Sequence, residues 1–197
     1  MVPRFNAWTN ISLLAVVCAV LFLATPAEAQ WSAPGNTAMA DDSSDRAVVR
    51  NDSGSIALAA GFVGTAQLRW PLTHVPGLDD TRATSGSYQL CLWVRVRDTG
   101  STDRLVIRVQ ELTDGDGTLR TLATWDSSTA VDFAGTPFEM EGSTVYRTGV
   151  VCPLRRGSTE LFGLDWRFRT YFVDASMSRT ASTGNPGIMV VKVYPVF

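Results

Sequence analysis

The segment from Ser87 to Leu112 constrains the fold most, because it holds two runs in which apolar and polar residues alternate with the period of a β-strand. The aliphatic members of these runs are Leu92, Val94, Val96, Leu105, Ile107 and Val109. The polar residues 98–103 separate the runs, so the pattern predicts a β-hairpin in which Arg97 faces Arg104. In that register all six aliphatic side chains lie on one face, and a slip by one residue would destroy the match. The segment therefore predicts a β-rich fold, but it indicates no activity.

Short strand-like runs separated by turn residues continue through the rest of the chain. They cover residues 47–50, 56–59, 65–72, 119–125, 145–154, 171–178 and 188–194. Residues 161–169 also alternate, but a glycine and an aspartate interrupt the pattern, so both strand and loop stay open there. The pattern predicts an all-β fold, an antiparallel β-sandwich of jelly-roll type, in a single domain over residues 46–197.

The first 29 residues have the three parts of a secretory signal peptide. Arg4 supplies the positive start, residues 11–24 form the apolar part, and Ala27-Glu28-Ala29 is a small-x-small cleavage site. A membrane anchor is the alternative, but the apolar part is shorter than the ~20 residues that span a bilayer. We therefore expect residues 1–29 to be cleaved, and the protein to be secreted (extracellular or periplasmic) without a membrane segment.

Residues 30–45 are small and polar and show no periodicity, which predicts a flexible N-terminal segment or linker. Trp31 is the exception within it. Its side chain can pack on the domain or contact a partner, and packing is the commoner role of a tryptophan.

The charge of the chain excludes one class of partner. Its formal net charge is −2, and the signal peptide contributes one basic and one acidic residue. A slightly acidic domain lacks the basic surface that nucleic acid requires, so we expect no nucleic-acid partner. Lys192 is the single lysine, a composition typical of GC-rich coding, which predicts a bacterial source.

Two cysteines, Cys91 and Cys152, remain after signal cleavage, and an even number in an exported chain predicts a disulfide bond. Two buried free thiols are the alternative. His74 is the only histidine, so neither a Cys–His catalytic pair nor a transition-metal site is indicated. We expect no metal and no cofactor.

Five tryptophans follow the signal peptide, and they either fill the core or stack on sugar rings. Trp93 stands out because the alternation places it opposite the aliphatic stripe, with Arg95 and Arg97 on its own strand and Arg108 across the predicted hairpin. These four residues are the candidate ligand-binding residues. Their face is either a polar binding surface with an aromatic platform or a covered face on which arginine stacks on indole.

Catalytic motifs are weak. Glu139 and Glu141 are spaced like the paired carboxylates of glycoside hydrolysis, but neighbouring proline and glycine favour a solvated loop. Asp165 and Asp174 could join them only through the fold. Residues 114–117 have the sequence Asp-Gly-Asp-Gly, which resembles part of a calcium loop but lacks its other ligands, so a hairpin turn is the simpler interpretation.

In layout the chain is similar to bacterial extracellular β-sandwich modules, the broad class that includes carbohydrate-binding modules. The similarity lies in the signal peptide, the polar lead and the repeated strand–turn units, and it transfers no binding residues. We expect an exported non-catalytic protein that binds a glycan or a cell-surface polymer. The alternatives are a structural or protein-interaction subunit of the cell envelope, and a hydrolase that uses carboxylates.

Overall fold

The computed structural model describes residues 30–76, 78–79, 89–97, 102–129, 139–141 and 144–196, with the backbone alone at 139–141 and 144–145. The predicted signal peptide, residues 1–29, lies outside the described residues. In these ranges no helix has the length and apolar character needed to cross a membrane.

Strands dominate the described residues, which otherwise contain only two three-residue 3-10 turns, Gly35–Thr37 and Asp45–Ala47, as helical structure. The strands are β1 (Trp31–Pro34), β2 (Met39–Ala40), β3 (Val48–Arg50), β4 (Ile56–Leu58), β5 (Gly64–Pro71), β6 (Gln89–Arg97), β7 (Asp103–Thr113), β8 (Leu119–Asp126), β9 (Glu139–Glu141), β10 (Thr144–Val151), β11 (Arg155–Arg156), β12 (Thr159–Glu160), β13 (Arg169–Arg179) and β14 (Gly187–Val196). The predicted runs outside 161–169 all coincide with strands to within a few residues.

The strands form two large antiparallel sheets. Sheet A has the order β3-β4-β14-β6-β10-β9, with β1 also paired to β14, and sheet B has the order β2-β5-β13-β7-β8. The longer strands are β5, β6, β7, β8, β10, β13 and β14. Successive members of this set alternate between the two sheets, except for β7 and β8, which both lie in sheet B. The run β4-β14-β6-β10 of sheet A and the run β5-β13-β7-β8 of sheet B have the strand order of an eight-stranded jelly roll. The predicted fold class is therefore confirmed.

The core lies between the two sheets. The six aliphatic residues of the predicted hairpin (Leu92, Val94, Val96, Leu105, Ile107, Val109) are all 0% exposed, so their assignment to the buried side is confirmed. The predicted pairing of their strands is wrong. Strand β6 lies between β14 and β10, whereas β7 lies between β13 and β8. The alternation shows which side of a strand is buried but not which strand is its neighbour, and here the connection crosses from sheet A to sheet B.

A tight hairpin turn joins β7 to β8, which are paired in sheet B. Gly117 has a φ of 65°, which favours glycine, and its N–H donates to the Thr113 carbonyl at 3.0 Å. A side-chain oxygen of Asp116 accepts from the Thr118 N–H at 2.9 Å, and this backbone hydrogen bond lowers the pKa of the Asp116 carboxyl. The interpretation of residues 114–117 as a turn is confirmed.

The segment 30–45, for which the sequence predicts flexibility, contains two strands. Strand β1 pairs with β14, and its Trp31 is 7% exposed in the core. Strand β2 pairs with the edge of β5. Between them the chain passes so close to β14 that a Cβ on Gly35 would collide with the carbonyl of Ile188. Small residues such as Ala33 bury little area and leave no hydropathy signal, which is why the composition alone resembles a linker.

Two further segments differ from expectation. Residues 139–141, predicted as loop, form the edge strand β9 beside β10. Residues 161–168 form no regular strand, although Leu161 and Leu164 are buried and Leu164 forms a parallel bridge with Asp79.

A disulfide joins Cys91 on β6 to Cys152, which directly follows β10, with a Cα–Cα distance of 4.6 Å. The predicted disulfide is confirmed. It connects two neighbouring strands of sheet A at one end of their pairing.

Candidate functional site

The outward side of sheet A carries a compact group of aromatic and basic side chains. Because Leu92, Val94 and Val96 point into the core, the residues between them on β6 point outward. The register then places Lys192 of β14 next to Trp93, and Tyr146 of β10 next to Arg97. We call the surface formed by Trp93, Arg95, Arg97, Tyr146 and Lys192 the Trp93 face.

Cations lie on the aromatic rings of this face. The Lys192 ammonium is 4.8 Å from the centroid of the Trp93 ring, and the Arg95 guanidinium carbon is 5.4 Å from that of Tyr146. Both distances are within the range of cation–π attraction. Arg97 is held differently, since its Nε donates to the carbonyl of Asn185 at 2.7 Å. All five side chains are partly exposed, so the face is neither fully covered nor a bare aromatic platform.

Three basic side chains lie on this face, and Glu139 of the edge strand β9 is the register partner of Tyr146. The sequences of β6, β10 and β14 contain no aspartate or glutamate, while Arg95, Arg97 and Lys192 point outward from them. On the outward side of sheet B, Arg104 and Arg108 contact the carboxylates of Asp126 and Asp174.

Arg108 does not belong to the Trp93 face. It lies on the outward side of β7 in sheet B, where its Nη1 is 3.8 Å from a carboxylate oxygen of Asp174 on β13. The expected position of Arg108 across from Trp93 is therefore wrong, for the same reason as the predicted hairpin: β6 and β7 belong to different sheets. The structure brings Trp93, Arg95 and Arg97 together along one strand, and it places Arg108 on the opposite side of the molecule.

A groove of about 410 Å³ lies on the outward side of sheet B near its β2 edge. Met39, Gln67, Arg69 and Asp174 contribute to its walls. The Arg69 guanidinium lies 4.3 Å above the ring of Phe172, and Asp174 also accepts a hydrogen bond from Gln110 at 3.3 Å. Arg69 and Asp174 are thus engaged with neighbouring side chains of sheet B that lie outside the groove.

A buried ion cluster closes one end of the sandwich. Glu111 of β7 is 0% exposed and accepts three hydrogen bonds from Arg156, at 2.6, 3.0 and 3.1 Å. Arg169 approaches the same carboxylate at 3.6 Å. The hydrogen bonds that Arg156 donates to Glu111 raise the pKa of the Arg156 guanidinium. The alternation on β7 places Glu111 in phase with the buried Val109, but the sequence does not predict its partners, because they come from two other strands.

The carboxylates considered for hydrolysis are held in different places. Asp165 lies in the loop before β13, 3.1 Å from Arg167, whereas Asp174 lies on the outward side of sheet B with Arg108. The side chains of Glu139 and Glu141 lie outside the described residues. The two described carboxylates are therefore in ion pairs at separate positions.

The five tryptophans that the structure describes divide into two groups. Trp31, Trp70 and Trp125 are buried, whereas Trp93 and Trp166 are partly exposed. Trp166 packs edge-on against His74 and Tyr171 near the buried ion cluster, at ring-centroid distances of 5.6 and 5.0 Å. Trp93 is thus the partly exposed tryptophan on the broad surface of a sheet.

Comparison with known proteins gave matches to solved structures only. No family model matches the chain, and no curated protein sequence matches it. The chain is similar to the xylan-binding module CBM15 (11% identity, TM-score 0.41), over 85% of this chain and 97% of that one. It is also similar to a carbohydrate-binding module described for specific mannan recognition, TmCBM27 (10% identity, TM-score 0.36), over 85% and 89% of the two chains. A third similarity is to the family 11 carbohydrate-binding module from Clostridium thermocellum in complex with a β-1,3-1,4-mixed-linked tetrasaccharide (14% identity, TM-score 0.33), over 88% and 91%.

Proposed function

We propose that this protein is an exported, non-catalytic glycan-binding module and that it binds its ligand on the Trp93 face. The observation that carries the proposal is the position of Trp93. Its indole is partly exposed on a central strand of sheet A, with the ammonium of Lys192 at 4.8 Å and Arg95 two residues along the strand. A flat apolar ring beside several hydrogen-bond donors matches a sugar, which has apolar C–H faces and a rim of hydroxyl groups.

The support beneath Trp93 is rigid, which favours binding. Strand β6 is hydrogen-bonded on both sides, to β14 and β10. The disulfide at Cys91 fixes β6 to the end of β10 two residues away from Trp93. A site held on a paired strand loses little conformational entropy on binding, so weak individual contacts can add up to useful affinity.

The disulfide also supports export. Disulfides persist in oxidising compartments and are rare in the cytosol, so the Cys91–Cys152 bond agrees with the predicted signal peptide. The ion pairs of Asp165 and Asp174 support a binding role over hydrolysis, because a catalytic acid needs a carboxyl that is free to exchange a proton with substrate.

Binding can be tested with a panel of soluble polysaccharides, both neutral and acidic, by affinity electrophoresis and titration calorimetry. We expect at least one polysaccharide to bind, and Trp93→Ala to weaken that binding about tenfold or more, because loss of an aromatic stacking surface removes more than 1 kcal/mol. Circular dichroism of the variant checks that it folds.

Trp166→Ala is the matched control, since Trp166 is the other partly exposed tryptophan but lies at the end of the sandwich. It should bind as the unmodified protein does. Failure of every polysaccharide to bind, or binding that is insensitive to Trp93→Ala, would contradict the proposal.

A further inference from the structure

We infer that the ligand is an internal stretch of a long polysaccharide chain, which lies diagonally across sheet A on the aromatic rings of Tyr194, Trp93 and Tyr146. This inference rests on the proposed function and names the size class of the ligand for the same surface. It excludes a single sugar or a disaccharide as the preferred ligand, and it adds Tyr194 to the binding residues.

Tyr194 lies on the same outward side of sheet A as Trp93. Val191 and Val193 of β14 are 0% exposed in the core, so the alternation directs Lys192 and Tyr194 outward. The register pairs Tyr194 with Cys91, two residues before Trp93 on β6, and the Tyr194 side chain is partly exposed. A second aromatic side chain therefore lies diagonally beside Trp93 on the neighbouring strand.

Tyr146 extends the row on the other side of β6. It is partly exposed, and the register pairs it with Arg97, four residues beyond Trp93. From the rise of a strand and the spacing between strands, the Cα atom of Trp93 is about 8 Å from that of Tyr194 and about 14 Å from that of Tyr146. The same geometry gives a diagonal row of about 22 Å over β14, β6 and β10.

Short side chains lie beside the path between the rings. The register places Val150 next to Trp93, and it places Val190 and Thr148 on the two sides of Arg95. The Arg95 guanidinium lies against the Tyr146 ring, 5.4 Å from its centroid. A chain that contacts Trp93 can therefore continue over these short side chains to Tyr146.

The length of the row determines the size of the ligand. One sugar ring is similar in size to one aromatic ring, so a single sugar contacts one position of the row. Each aromatic contact contributes modestly to binding. A chain that reaches all three rings adds these contacts after a single loss of translational and rotational freedom, so affinity rises with the length of the chain.

The outward side of sheet B does not repeat this arrangement at its central strands. Phe172 of β13 points outward there, but it is 8% exposed and the Arg69 guanidinium lies 4.3 Å above its ring. That ring is covered by the protein itself. Tyr194, Trp93 and Tyr146 differ from it because all three are partly exposed on neighbouring strands.

The test measures affinity as a function of chain length. Xylan, galactomannan, mixed-linkage glucan, chitosan and polygalacturonate are each titrated into the protein by calorimetry, together with their size-separated fragments from the monosaccharide to the hexasaccharide. We expect at least one of these polysaccharides to bind. For that polysaccharide, the hexasaccharide should bind at least about tenfold more tightly than the disaccharide, because it reaches further aromatic rings.

Substitutions at the two ends of the row test its extent. Tyr194→Ala and Tyr146→Ala should each weaken binding of the hexasaccharide about fivefold, because each removes one stacking surface. Tyr146→Ala should leave the disaccharide unaffected, since a disaccharide on Trp93 does not extend to Tyr146. Tyr194→Phe and Tyr146→Phe are the matched controls, because they keep the ring and should retain binding.

Phe168→Ala is a control for the loss of an exposed aromatic side chain elsewhere. Phe168 is 64% exposed directly before β13 of sheet B, and its removal should not change binding of the hexasaccharide. Circular dichroism confirms that each variant folds.

The outcomes separate this inference from the proposed function. Equal affinities for disaccharide and hexasaccharide, both lost in Trp93→Ala, would overturn the aromatic row and leave a glycan-binding module. Binding of a polysaccharide but not of its hexasaccharide would also overturn the row, because a hexasaccharide is long enough to reach from Tyr194 to Tyr146. Absence of binding to every polysaccharide would overturn both.

Discussion

The buried charges of this protein show that a charged residue can occupy an inward position of a strand when other groups satisfy it. Arg179 is only 2% exposed and donates to three backbone carbonyls, those of Phe62, Gly184 and Ala59, at 2.6, 2.8 and 2.7 Å. Arg179 therefore provides hydrogen bonds to backbone carbonyls of loops, which lie outside the strand pairing of the two sheets. Glu111, near the end of β7, is likewise buried and is satisfied by the hydrogen bonds that Arg156 donates to its carboxylate. Both residues occupy inward positions of their strands, in phase with the buried Val109 on β7 and Met177 on β13.

The ion pair between Arg104 and Asp126 gives a prediction for pH. Hydrogen bonds from Arg104, then those from Ser128, outweigh the effect of burial and hold the pKa of Asp126 well below its ordinary value of 3.8. A carboxyl with a lowered folded-state pKa stabilises the fold above its ordinary pKa, and that stability is lost as pH falls below about 3.8. We expect Asp126→Asn to lower the free energy of unfolding by about 1 kcal/mol at pH 7, and by clearly less at pH 2.5.

Urea unfolding followed by circular dichroism at the two pH values measures this difference. Asp45→Asn is the control, because Asp45 pairs with Arg50 at 3.0 Å on the exposed surface and should contribute little. A loss for Asp126→Asn that is the same at both pH values would contradict the assignment of the effect to the ionised carboxyl.

At the scale of strands, the sequence predicts well which side of a strand is buried, but it predicts poorly which strands are paired. The alternation on β6 correctly places Trp93, Arg95 and Arg97 on one outward surface, because that information is contained in a single strand. Lys192 and Tyr146 complete the surface from strands that are distant in sequence. Their alternation marks them as outward, but nothing local indicates that β14 and β10 are the neighbours of β6.

The same limit explains the two errors that concern β7. A jelly roll sends most successive strands to opposite sheets, so adjacent strands with matching patterns face each other across the core instead of pairing. The predicted hairpin and the position of Arg108 both fail for this reason. Between β7 and β8 the turn chemistry around Gly117 is specific, and there the sequence predicts the true hairpin.

Strand β1 gives a prediction at this scale. If it is an integral part of sheet A, Trp31→Ala should destabilise the protein by about 3 kcal/mol, the cost of removing a large aromatic side chain from a packed core. Ser32→Ala, at the exposed neighbouring position, should change the free energy of unfolding by less than about 0.5 kcal/mol. Denaturant unfolding measures both. A Trp31→Ala variant as stable as the unmodified protein would restore the view of residues 30–45 as a flexible lead.

For the whole molecule, the disulfide is a covalent constraint between distant parts of the chain, and two substitutions remove it. It joins residues separated by 61 positions, and the chain between them contributes β7 and β8 to sheet B and β9 and β10 to sheet A. Linking them removes a large loop from the unfolded ensemble, so replacing Cys91 and Cys152 together by alanine should lower the free energy of unfolding by about 4 kcal/mol. The effect should appear as a lower denaturation midpoint with little change in the folded-state circular dichroism.

Reduction of the unmodified protein provides the matched control for the double variant. In dithiothreitol the unmodified protein should unfold at the midpoint of the Cys91→Ala/Cys152→Ala variant, whereas the variant itself should not respond to the reductant. A double variant within about 1 kcal/mol of the oxidised protein would show that packing between the sheets already restricts this part of the chain. The disulfide lies two residues from Trp93, so glycan binding by the folded double variant tests whether strand pairing alone holds the Trp93 face in place. Unchanged affinity would mean that the pairing of β6 with β14 and β10 is sufficient. A several-fold loss of affinity would mean that the disulfide positions the indole.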